Sequence, residues 1–125
     1  MSKILTTVII GGNSLSILGR LDTDPSNYGS IELGRIPHAE EYHLYRLYVP
    51  NAIRGNGVST ELMKLLESEC DKLGINVIID VQSNNQFSSE QMKEFYKKFG
   101  FVEQKCYSYR LYRECRKDGV KSEEE

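Results

Sequence analysis

The sequence predicts an α/β fold in which two helices pack on a mixed, mostly antiparallel sheet. The first half of the chain has the pattern of short strands, and the second half alternates helical and strand patterns. A glycine-rich turn joins the two halves. With 125 residues, 39% hydrophobic and 27% charged, the chain has the size and composition of one globular domain. We expect this domain to span residues 1–116 and the polar segment 117–125 to be disordered.

Four strands are predicted in the first half. Residues 4–10 are apolar and β-branched, and a Gly-Gly-Asn turn signal separates them from the apolar residues 15–18, which predicts a hairpin. After a loop of turn-forming residues, residues 30–36 form the third strand and residues 43–49 the fourth. Simple alternation divides the fourth strand between two faces, with Tyr45, Leu47 and Val49 on one and Leu44, Arg46 and Tyr48 on the other.

The first helix is predicted from apolar residues at helical spacing, namely Leu62, Leu65, Leu66, Cys70 and Leu73. Ser59 or Thr60 is expected to cap its start, and Gly74 is expected to end it. Residues 75–81 follow as a strand buried on both faces, with Asp80 as its one charged residue.

The second helix is predicted to start at a capping box formed by Ser88 and Gln91, with Phe87 packed against Met92 as a hydrophobic staple. Gly100 ends it. The buried stripe of this helix is Met92, Phe95, Tyr96 and Phe99.

Two final strands, at residues 101–102 and 107–113, are predicted to complete the sheet. The second of them is rich in tyrosine between residues 107 and 112. Because an exposed edge strand invites pairing, a homodimer through this strand is a further expectation.

Charge and apolar patterning exclude several classes of partner. The formal net charge of -2 provides no basic field of the kind that binds nucleic acid. No apolar run is long enough to cross a bilayer and no secretory signal pattern is present, so we expect no membrane partner and a cytoplasmic location. The three cysteines, Cys70, Cys106 and Cys115, lie in no metal-ligand spacing, so we expect structural thiols and no metal.

The most informative segment is the glycine-rich turn between the fourth strand and the first helix. Its residues are Arg54, Gly55, Asn56, Gly57, Val58 and Ser59. Glycines let such a turn gather backbone N–H groups, and the helix that follows adds further N–H groups and the positive end of its dipole. The segment is therefore predicted to bind a phosphate or pyrophosphate.

The spacing of this turn excludes two familiar phosphate-binding motifs. A P-loop requires Lys and then Ser or Thr directly after its second glycine, and no Lys follows Gly57. A dinucleotide-binding fingerprint requires a third glycine where this chain has Val58, Ser59 and Thr60. It also requires an acidic residue about twenty positions on; Asp80 lies near that spacing, but by itself it is weak evidence for the fingerprint.

What remains resembles the Arg/Gln-x-x-Gly-x-Gly/Ala signature of the Gcn5-related N-acetyltransferases, with Ser59 in place of the final Gly or Ala. A second match lies downstream, where residues 95–101 (Phe-Tyr-Lys-Lys-Phe-Gly-Phe) resemble the family's Tyr-x-Lys-x-Gly-Phe ending after a helix. The two motifs occur in the family's order, and the resemblance covers residues 43–113.

This resemblance implies a cosubstrate, acetyl-CoA, and a set of residues that contact it. The pantetheine arm would pair with the end of the fourth strand, where a backbone N–H would also stabilise the oxyanion. The turn and the first helix would hold the pyrophosphate, and an asparagine before the second helix would contact CoA. The implied residues are Leu47, Tyr48, Val49, Arg54, Gly55, Asn56, Gly57, Val58, Ser59, Thr60 and Asn85.

The resemblance also assigns the proton donor, since Tyr96 matches the family's general acid for the departing CoA thiolate. A lysine acceptor must lose a proton before it attacks, which costs roughly 4 kcal/mol at physiological pH. The spacing does not single out the base among the candidates Glu32, Glu40, Glu41, His43 and Asp80.

Family members place one or two helices between their first two strands, and residues 11–14 leave no room for them here. We infer an open acceptor face, which suits a protein lysine or terminus better than an enclosed metabolite. A small-molecule amine is an alternative acceptor, and an inactive acyl-CoA-binding or protein-interaction module is the second hypothesis. The chain also resembles small phage-encoded acetyltransferases, including an anti-CRISPR type, which implies a bacterial or phage origin and a host protein as acceptor.

Overall fold

The structure is a computed structural model that describes residues 3–81, 88–104 and 107–115, with backbone alone for 107–109. The strands within these ranges are β1 (Ile4–Ile10), β2 (Ser14–Leu21), β3 (Tyr28–Gly34), β4 (Glu41–Tyr48), β5 (Asn76–Asp80), β6 (Val102–Gln104) and β7 (Tyr107–Arg113). The helices are α1 (Val58–Leu73) and α2 (Ser89–Lys97), with a 3-10 turn at Asn51–Ile53. The expectations for Phe87, Cys106 and residues 117–125 lie outside the described residues.

All of these strands form one sheet in the order β1-β2-β3-β4-β5-β7-β6. The first four strands form an antiparallel meander, β5 lies parallel to β4, and β7 runs antiparallel to both β5 and β6. The prediction of an α/β fold with a mixed, mostly antiparallel sheet is confirmed. As the sequence also predicts, no helix separates β1 from β2, since β1 ends at Ile10 and β2 begins at Ser14.

One face of the sheet is covered by α1, which approaches β2 and β3 closely because a pair of glycines lies beneath it. Gly19 and Gly29 are directly paired across these strands. A Cβ on Gly19 would lie 2.9 Å from Cδ2 of Leu62, and one on Gly29 would lie 2.9 Å from the Tyr48 carbonyl oxygen. Larger side chains at these positions would push α1 and the end of β4 away from the sheet.

The start of α1 differs from the prediction. Its N-cap is Gly57, in the left-handed conformation with φ of 81°, and the helix begins at Val58, so neither Ser59 nor Thr60 caps it. Gly74 ends the helix as predicted, and its N–H donates to the Cys70 carbonyl. The buried residues of α1 are Val58, Leu62, Met63, Leu66 and Cys70.

The buried face of α1 is rotated from the predicted one. Met63 is fully buried, whereas Leu65 is half-buried and Leu73, in the last turn, is exposed. The reason is that Met63 lies beside Leu62 and Leu66, which contact the sheet core.

A β-bulge in β4 overturns the predicted alternation of this strand. Leu44 pairs with Leu33, but the next paired residue is Arg46, so Tyr45 is an extra residue opposite β3. The insertion reverses the facing of every later residue. Leu44 and Leu47 therefore lie on the same face, toward the core, although the sequence pattern placed them on opposite faces.

The predicted capping box of α2 is confirmed. The Gln91 N–H donates to Ser88 Oγ at 3.2 Å, and the Ser88 N–H donates to Gln91 Oε1 at 2.8 Å. The helix ends at Lys97, and a turn continues to Gly100, which has φ of 93°. Of the predicted stripe, Tyr96 and Phe99 are buried and the other two residues are half-buried.

Charged side chains fasten α2 to β6 in a way that the sequence did not predict. Lys93 is only 5% exposed, and its ammonium lies 3.3 Å from a Glu90 oxygen and 3.6 Å from a Glu103 oxygen. Lys97 lies 2.7 Å from the other Glu103 oxygen. Glu103 therefore bridges two turns of α2 to the sheet.

Two predictions for the end of the sheet are wrong in detail. β5 buries Val77 and Ile79, but Ile78 is half-buried and Asp80 is exposed, so only one face of this strand is fully covered. The tyrosine-rich strand β7 lies inside the sheet, between β5 and β6, and not at an edge. It therefore does not offer the free edge that was expected to form a homodimer.

Candidate functional site

The main cleft of the described structure lies where β4 ends. It has a volume of about 500 Å³ and is bounded on one side by the glycine-rich turn and the start of α1, and on the other by α2. The lining residues are Leu47, Tyr48, Val49, Ile53, Arg54, Gly55, Gly57, Val58, Ser59, Gln91, Met92 and Phe95.

The turn owes its shape to two glycines in the left-handed conformation. Gly55 has φ of 83° and Gly57 has φ of 81°, values that side-chain-bearing residues rarely adopt. Between them, the Asn56 side-chain amide donates to the Ile53 carbonyl at 2.9 Å and to the Arg54 carbonyl at 3.3 Å. The asparagine thus holds the turn from within.

The start of α1 provides unpaired backbone donors at the cleft. The first intrahelical bond runs from the Glu61 N–H to the Gly57 carbonyl at 3.0 Å. The N–H groups of the preceding residues, Val58, Ser59 and Thr60, therefore have no partner within the helix. Free N–H groups at the positive end of a helix dipole are the features that favour an anionic group.

Arg54 ties the turn back to the strand that precedes it. Its Nε donates to the Val49 carbonyl at 2.8 Å, and one of its terminal nitrogens donates to the side-chain oxygen of Asn51. The guanidinium is exposed at the rim of the cleft. Its first effect is to fix the path of the chain, and its charge adds to the positive end of the helix.

A second cavity opens where β4 and β5 separate. The two strands pair only from Glu41 to His43, opposite Asn76 to Ile78. Beyond this point a cavity of about 360 Å³ lies between them and is lined by His43, Leu44, Tyr45, Arg46, Leu47, Ile79, Asp80, Val81, Met92 and Tyr96. Leu47 and Met92 line both cavities, so the cavity that contains Tyr96 adjoins the cleft at the glycine-rich turn.

Tyr96 lines this second cavity and lies in an aromatic environment. Its ring makes edge-to-face contacts with Phe95 and Phe101, at centroid distances of 5.5 and 5.9 Å. Burial raises the pKa of the phenol to about 12. The hydroxyl therefore keeps its proton at physiological pH and can act as a hydrogen-bond donor.

Two of the five candidate bases lie in the cavity between β4 and β5. His43 is exposed there, and Asp80 accepts hydrogen bonds from Arg110 at 2.7 and 3.3 Å. Glu32 lies on the face of the sheet opposite α1, where Tyr45 donates to it at 3.2 Å and Arg46 lies 3.5 Å away.

The described residues contain neither a metal-binding cluster nor a membrane-spanning helix. No group of three or more His, Cys, Asp or Glu side chains in this part of the chain could hold a metal ion. None of its helices is long and apolar enough to cross a membrane.

The family model of the acetyltransferase (GNAT) domain matches residues 21–119 of the chain. This match covers the whole site described above. The chain belongs to the GNAT acetyltransferase family. The GNAT signature read from residues 54–59 thus lies in the turn that the structure places at the head of the cleft.

Solved GNAT structures share this fold at low sequence identity. The N-acetyltransferase YhbS from Escherichia coli, in complex with CoA, superposes with a TM-score of 0.65 at 12% identity, over 91% of this chain and 82% of that one. The ribosomal-protein-S18-alanine N-acetyltransferase from Escherichia coli gives 0.65 at 14% identity, over 92% and 77%. The anti-CRISPR protein AcrVA5 gives 0.58 at 16% identity, over 80% and 97%. A search of curated protein sequences finds no match.

The predicted GNAT site residues are mostly brought together by the fold. The residues that line the main cleft are Leu47, Tyr48, Val49, Arg54, Gly55, Gly57, Val58 and Ser59. Asn56 faces its own turn, and Thr60 lies half-buried in the first turn of α1. Tyr96 lines the adjoining cavity, and Asn85 lies outside the described residues.

Four residues of the GNAT cleft were not among the predicted site residues. They are Ile53, Gln91, Met92 and Phe95. Met92 and Phe95 were assigned to the core stripe of α2, because an apolar side chain that faces a cleft has the same helical spacing as one that faces a core.

Proposed function

We propose that this protein is an N-acetyltransferase that moves the acetyl group of acetyl-CoA to a primary amine of a protein, either a lysine side chain or an N-terminus. The observation that supports it best is that the cleft at the glycine-rich turn adjoins a second cavity that contains Tyr96. Acetyl-CoA has an anionic pyrophosphate at one end and a reactive thioester at the other, so its site needs an anion cradle and a separate reaction chamber.

In this proposal the backbone N–H groups of the turn and of the start of α1 bind the pyrophosphate. The pantetheine arm lies along Leu47, Tyr48 and Val49, on the side of β4 that faces away from β3. Since the described part of β5 pairs with β4 only up to His43, backbone groups of the later residues are available to the amides of the arm. One of their N–H groups would stabilise the oxyanion that forms at the thioester carbonyl.

The reaction moves one proton away from the amine and one toward the sulfur. The neutral amine attacks the thioester carbon, the C–S bond breaks, and the amine nitrogen loses its proton. We propose that His43 is the base that accepts this proton. The other candidate in the cavity, the Asp80 carboxylate, already accepts a hydrogen bond from Arg110. Replacement His43→Gln should lower kcat/KM at least tenfold without changing CoA affinity, and an unchanged rate would exclude this base.

Tyr96 acts on the leaving sulfur as a hydrogen-bond donor. A thiol has a pKa near 8.5, so full proton transfer from a phenol of pKa about 12 is uphill by about 5 kcal/mol. A hydrogen bond from the phenol stabilises the developing thiolate without full proton transfer, so most of this free-energy cost is avoided. A proton from solvent then converts the thiolate to the thiol.

A protein acceptor is favoured by the open face of the sheet. The residues between β1 and β2 form only a turn, so no helix from this connection encloses the groove across β1 to β4. The resemblance to an anti-CRISPR type of acetyltransferase implies a host protein as acceptor. The anti-CRISPR protein AcrVA5 is one structural neighbour, with 97% of its length covered, so a host protein is the acceptor that we would test first. A cytoplasmic location fits the free thiols of Cys70 and Cys115.

The second candidate function is an acyl-CoA-binding module without turnover. It is supported by the engagement of Asp80 with Arg110 and by Ser59 at the final position of the signature. Both candidates require CoA binding, so turnover is what separates them.

The test is calorimetric titration with acetyl-CoA and CoA, followed by thiol release and mass spectrometry with peptides that offer a lysine or a free N-terminus. Replacement Gly57→Glu should weaken CoA binding at least tenfold by placing a carboxylate in the anion site. The matched control is Gly57→Gln, which has the same backbone strain at φ of 81° but places no charge in the anion site. Binding with acetylated peptide supports the enzyme, binding without transfer to any amine supports the module, and absence of binding excludes both.

A further inference from the structure

The two edges of the sheet are protected to different degrees. β6, at one edge, has three residues, includes Glu103 and has an irregular register beside it. These features are the usual means by which proteins prevent edge-to-edge pairing. β1, at the other edge, has seven residues and pairs with β2 in an unbroken register from Ile4 to Ile10.

β1 lacks every one of these protections. Its sequence, Ile-Leu-Thr-Thr-Val-Ile-Ile, has no charge and no proline. Leu5, Ile9 and Ile10 are 41%, 52% and 58% exposed. An uncharged, regular and apolar edge strand is a template for pairing with another chain.

The partner that this edge fits is a second copy of itself. If two β1 strands pair antiparallel with Thr7 on the twofold axis, Leu5 of each copy lies opposite Ile9 of the other. Ile4 then lies opposite Ile10, and Thr6 opposite Val8. This register is the one that uses all seven residues, and it opposes the exposed apolar side chains Leu5 and Ile9, as well as Ile4 and Ile10, at Cβ distances of about 5 Å.

We propose that the protein forms a closed homodimer in which antiparallel pairing of the two β1 strands, with Thr7 on the twofold axis, joins the sheets of two copies. An isologous contact of this kind consumes the exposed edge and leaves only the protected β6 edges outside, so assembly stops at two copies. The strand pair buries little area, so association is expected at micromolar concentrations and above.

The dimer leaves the functional clefts apart and accessible, since β1 lies three strands from β4 in the sheet. Dimer formation does not depend on the proposed function. It does have a consequence for the acceptor face, because Ile9 lines the groove that runs across β1 to β4. The grooves of the two copies would meet at the twofold axis.

The test is sedimentation equilibrium of the wild-type chain from about 1 to about 200 µM, the range expected for a small interface. We expect a rise from the 14.3 kDa monomer to twice that mass. The double variant Leu5→Lys with Ile9→Lys opposes like charges across the axis and should be monomeric throughout. The double variant Leu5→Glu with Ile9→Lys opposes unlike charges and should dimerise, more weakly at high salt.

The control is Val102→Lys, which places a charge at the opposite, protected edge and should leave the dimer unchanged. Circular dichroism checks the folding of each variant. If the lysine double variant does not fold, the unlike-charge variant still decides the register. A wild-type chain that stays monomeric to 200 µM, species larger than the dimer, or loss of the dimer in Val102→Lys would each overturn the proposal.

Discussion

Gly57 is the residue on which the cradle and the first helix both depend. It is the N-cap of α1 and it lines the cleft, and its φ of 81° serves both purposes. In this conformation the chain turns sharply enough for the next backbone N–H groups to point outward from the helix start. The same conformation is unfavourable for any residue with a Cβ.

Replacement Gly57→Ala should therefore lower the free energy of unfolding by about 1 kcal/mol. The space around a Cβ is open, so the loss comes from backbone strain alone. Gly57→Asn should cost less, because asparagine tolerates the left-handed region better. Urea denaturation measures both, and Gly12→Ala, where no positive φ is required, serves as the reference. Equal stability of all three variants would contradict this account.

Tyr96 offers a test of the leaving-group interaction. Tyr96→Phe removes the hydroxyl and keeps the ring contacts with Phe95 and Phe101, so folding should be preserved. We expect kcat to fall at least tenfold, with the calorimetric affinity for CoA changed less than twofold. Steady-state thiol release at saturating acetyl-CoA gives kcat. An equal loss of affinity and rate would instead assign the hydroxyl to binding.

At the scale of elements, Arg113 joins three parts of the fold. This buried residue of β7 donates from Nε to the Phe99 carbonyl at 2.8 Å, just after α2. Its terminal nitrogens donate to the Asp71 carboxylate of α1 at 2.9 and 3.1 Å. One side chain thus fixes both helices to the same strand, although they have different roles at the cleft.

Replacement Arg113→Met should destabilise the protein by about 3 kcal/mol, because it removes the buried guanidinium that donates to the Phe99 carbonyl and to the half-buried Asp71 carboxylate. Arg110→Met is the matched comparison on the same strand, since Arg110 makes an exposed ion pair with Asp80. Its loss should cost no more than about 1 kcal/mol. Urea denaturation monitored by tyrosine fluorescence measures both values. Similar losses of unfolding free energy in the two variants would show that burial does not make the Arg113 contacts stronger than the exposed Arg110–Asp80 ion pair.

The sequence predicted the elements better than their orientations. Periodicity located every described strand and helix, and the glycine spacing located the head of the cleft. The bulge at Tyr45 was missed because an extra residue is defined only by the register with β3. The burial of Lys93 was missed because it depends on Glu103, which is near in space and distant in sequence. A local sequence pattern does not identify which residue of another element will lie beside it in the fold.

At the scale of the whole molecule, stability should depend on pH in the alkaline range. Burial raises the pKa of the Tyr96 phenol to about 12 and that of the Cys70 thiol to about 12, both above their values in the unfolded chain. The folded state therefore prefers the protonated forms. The stability that they provide is fully present below about pH 7.5, where the unfolded thiol and phenol are also protonated, and is lost as the pH rises toward 12.

The urea midpoint should be lower at about pH 9 than at pH 7, because the unfolded Cys70 thiol is already partly ionised there, and lower again at about pH 10.5. Tyr96 alone corresponds to a loss of about 3 kcal/mol when its shift is fully expressed near pH 12. In Tyr96→Phe the decline should be smaller, and the remainder is assigned to Cys70. A midpoint that stays constant to pH 10.5 in the wild type would show that neither group is desolvated in solution.

The position of β7 between β5 and β6 also determines when the protein can finish folding during its synthesis. The meander from β1 to β4 is made of neighbouring segments and can assemble as soon as it leaves the ribosome. β5 bears the buried Val77 and Ile79. One of its edges has no strand to pair with until residues 110–113 emerge and pair beside it. A nascent chain halted before Arg113 would therefore hold an apolar strand exposed to chaperones and proteases. Emergence of residues 110–113 is therefore the event that closes the sheet.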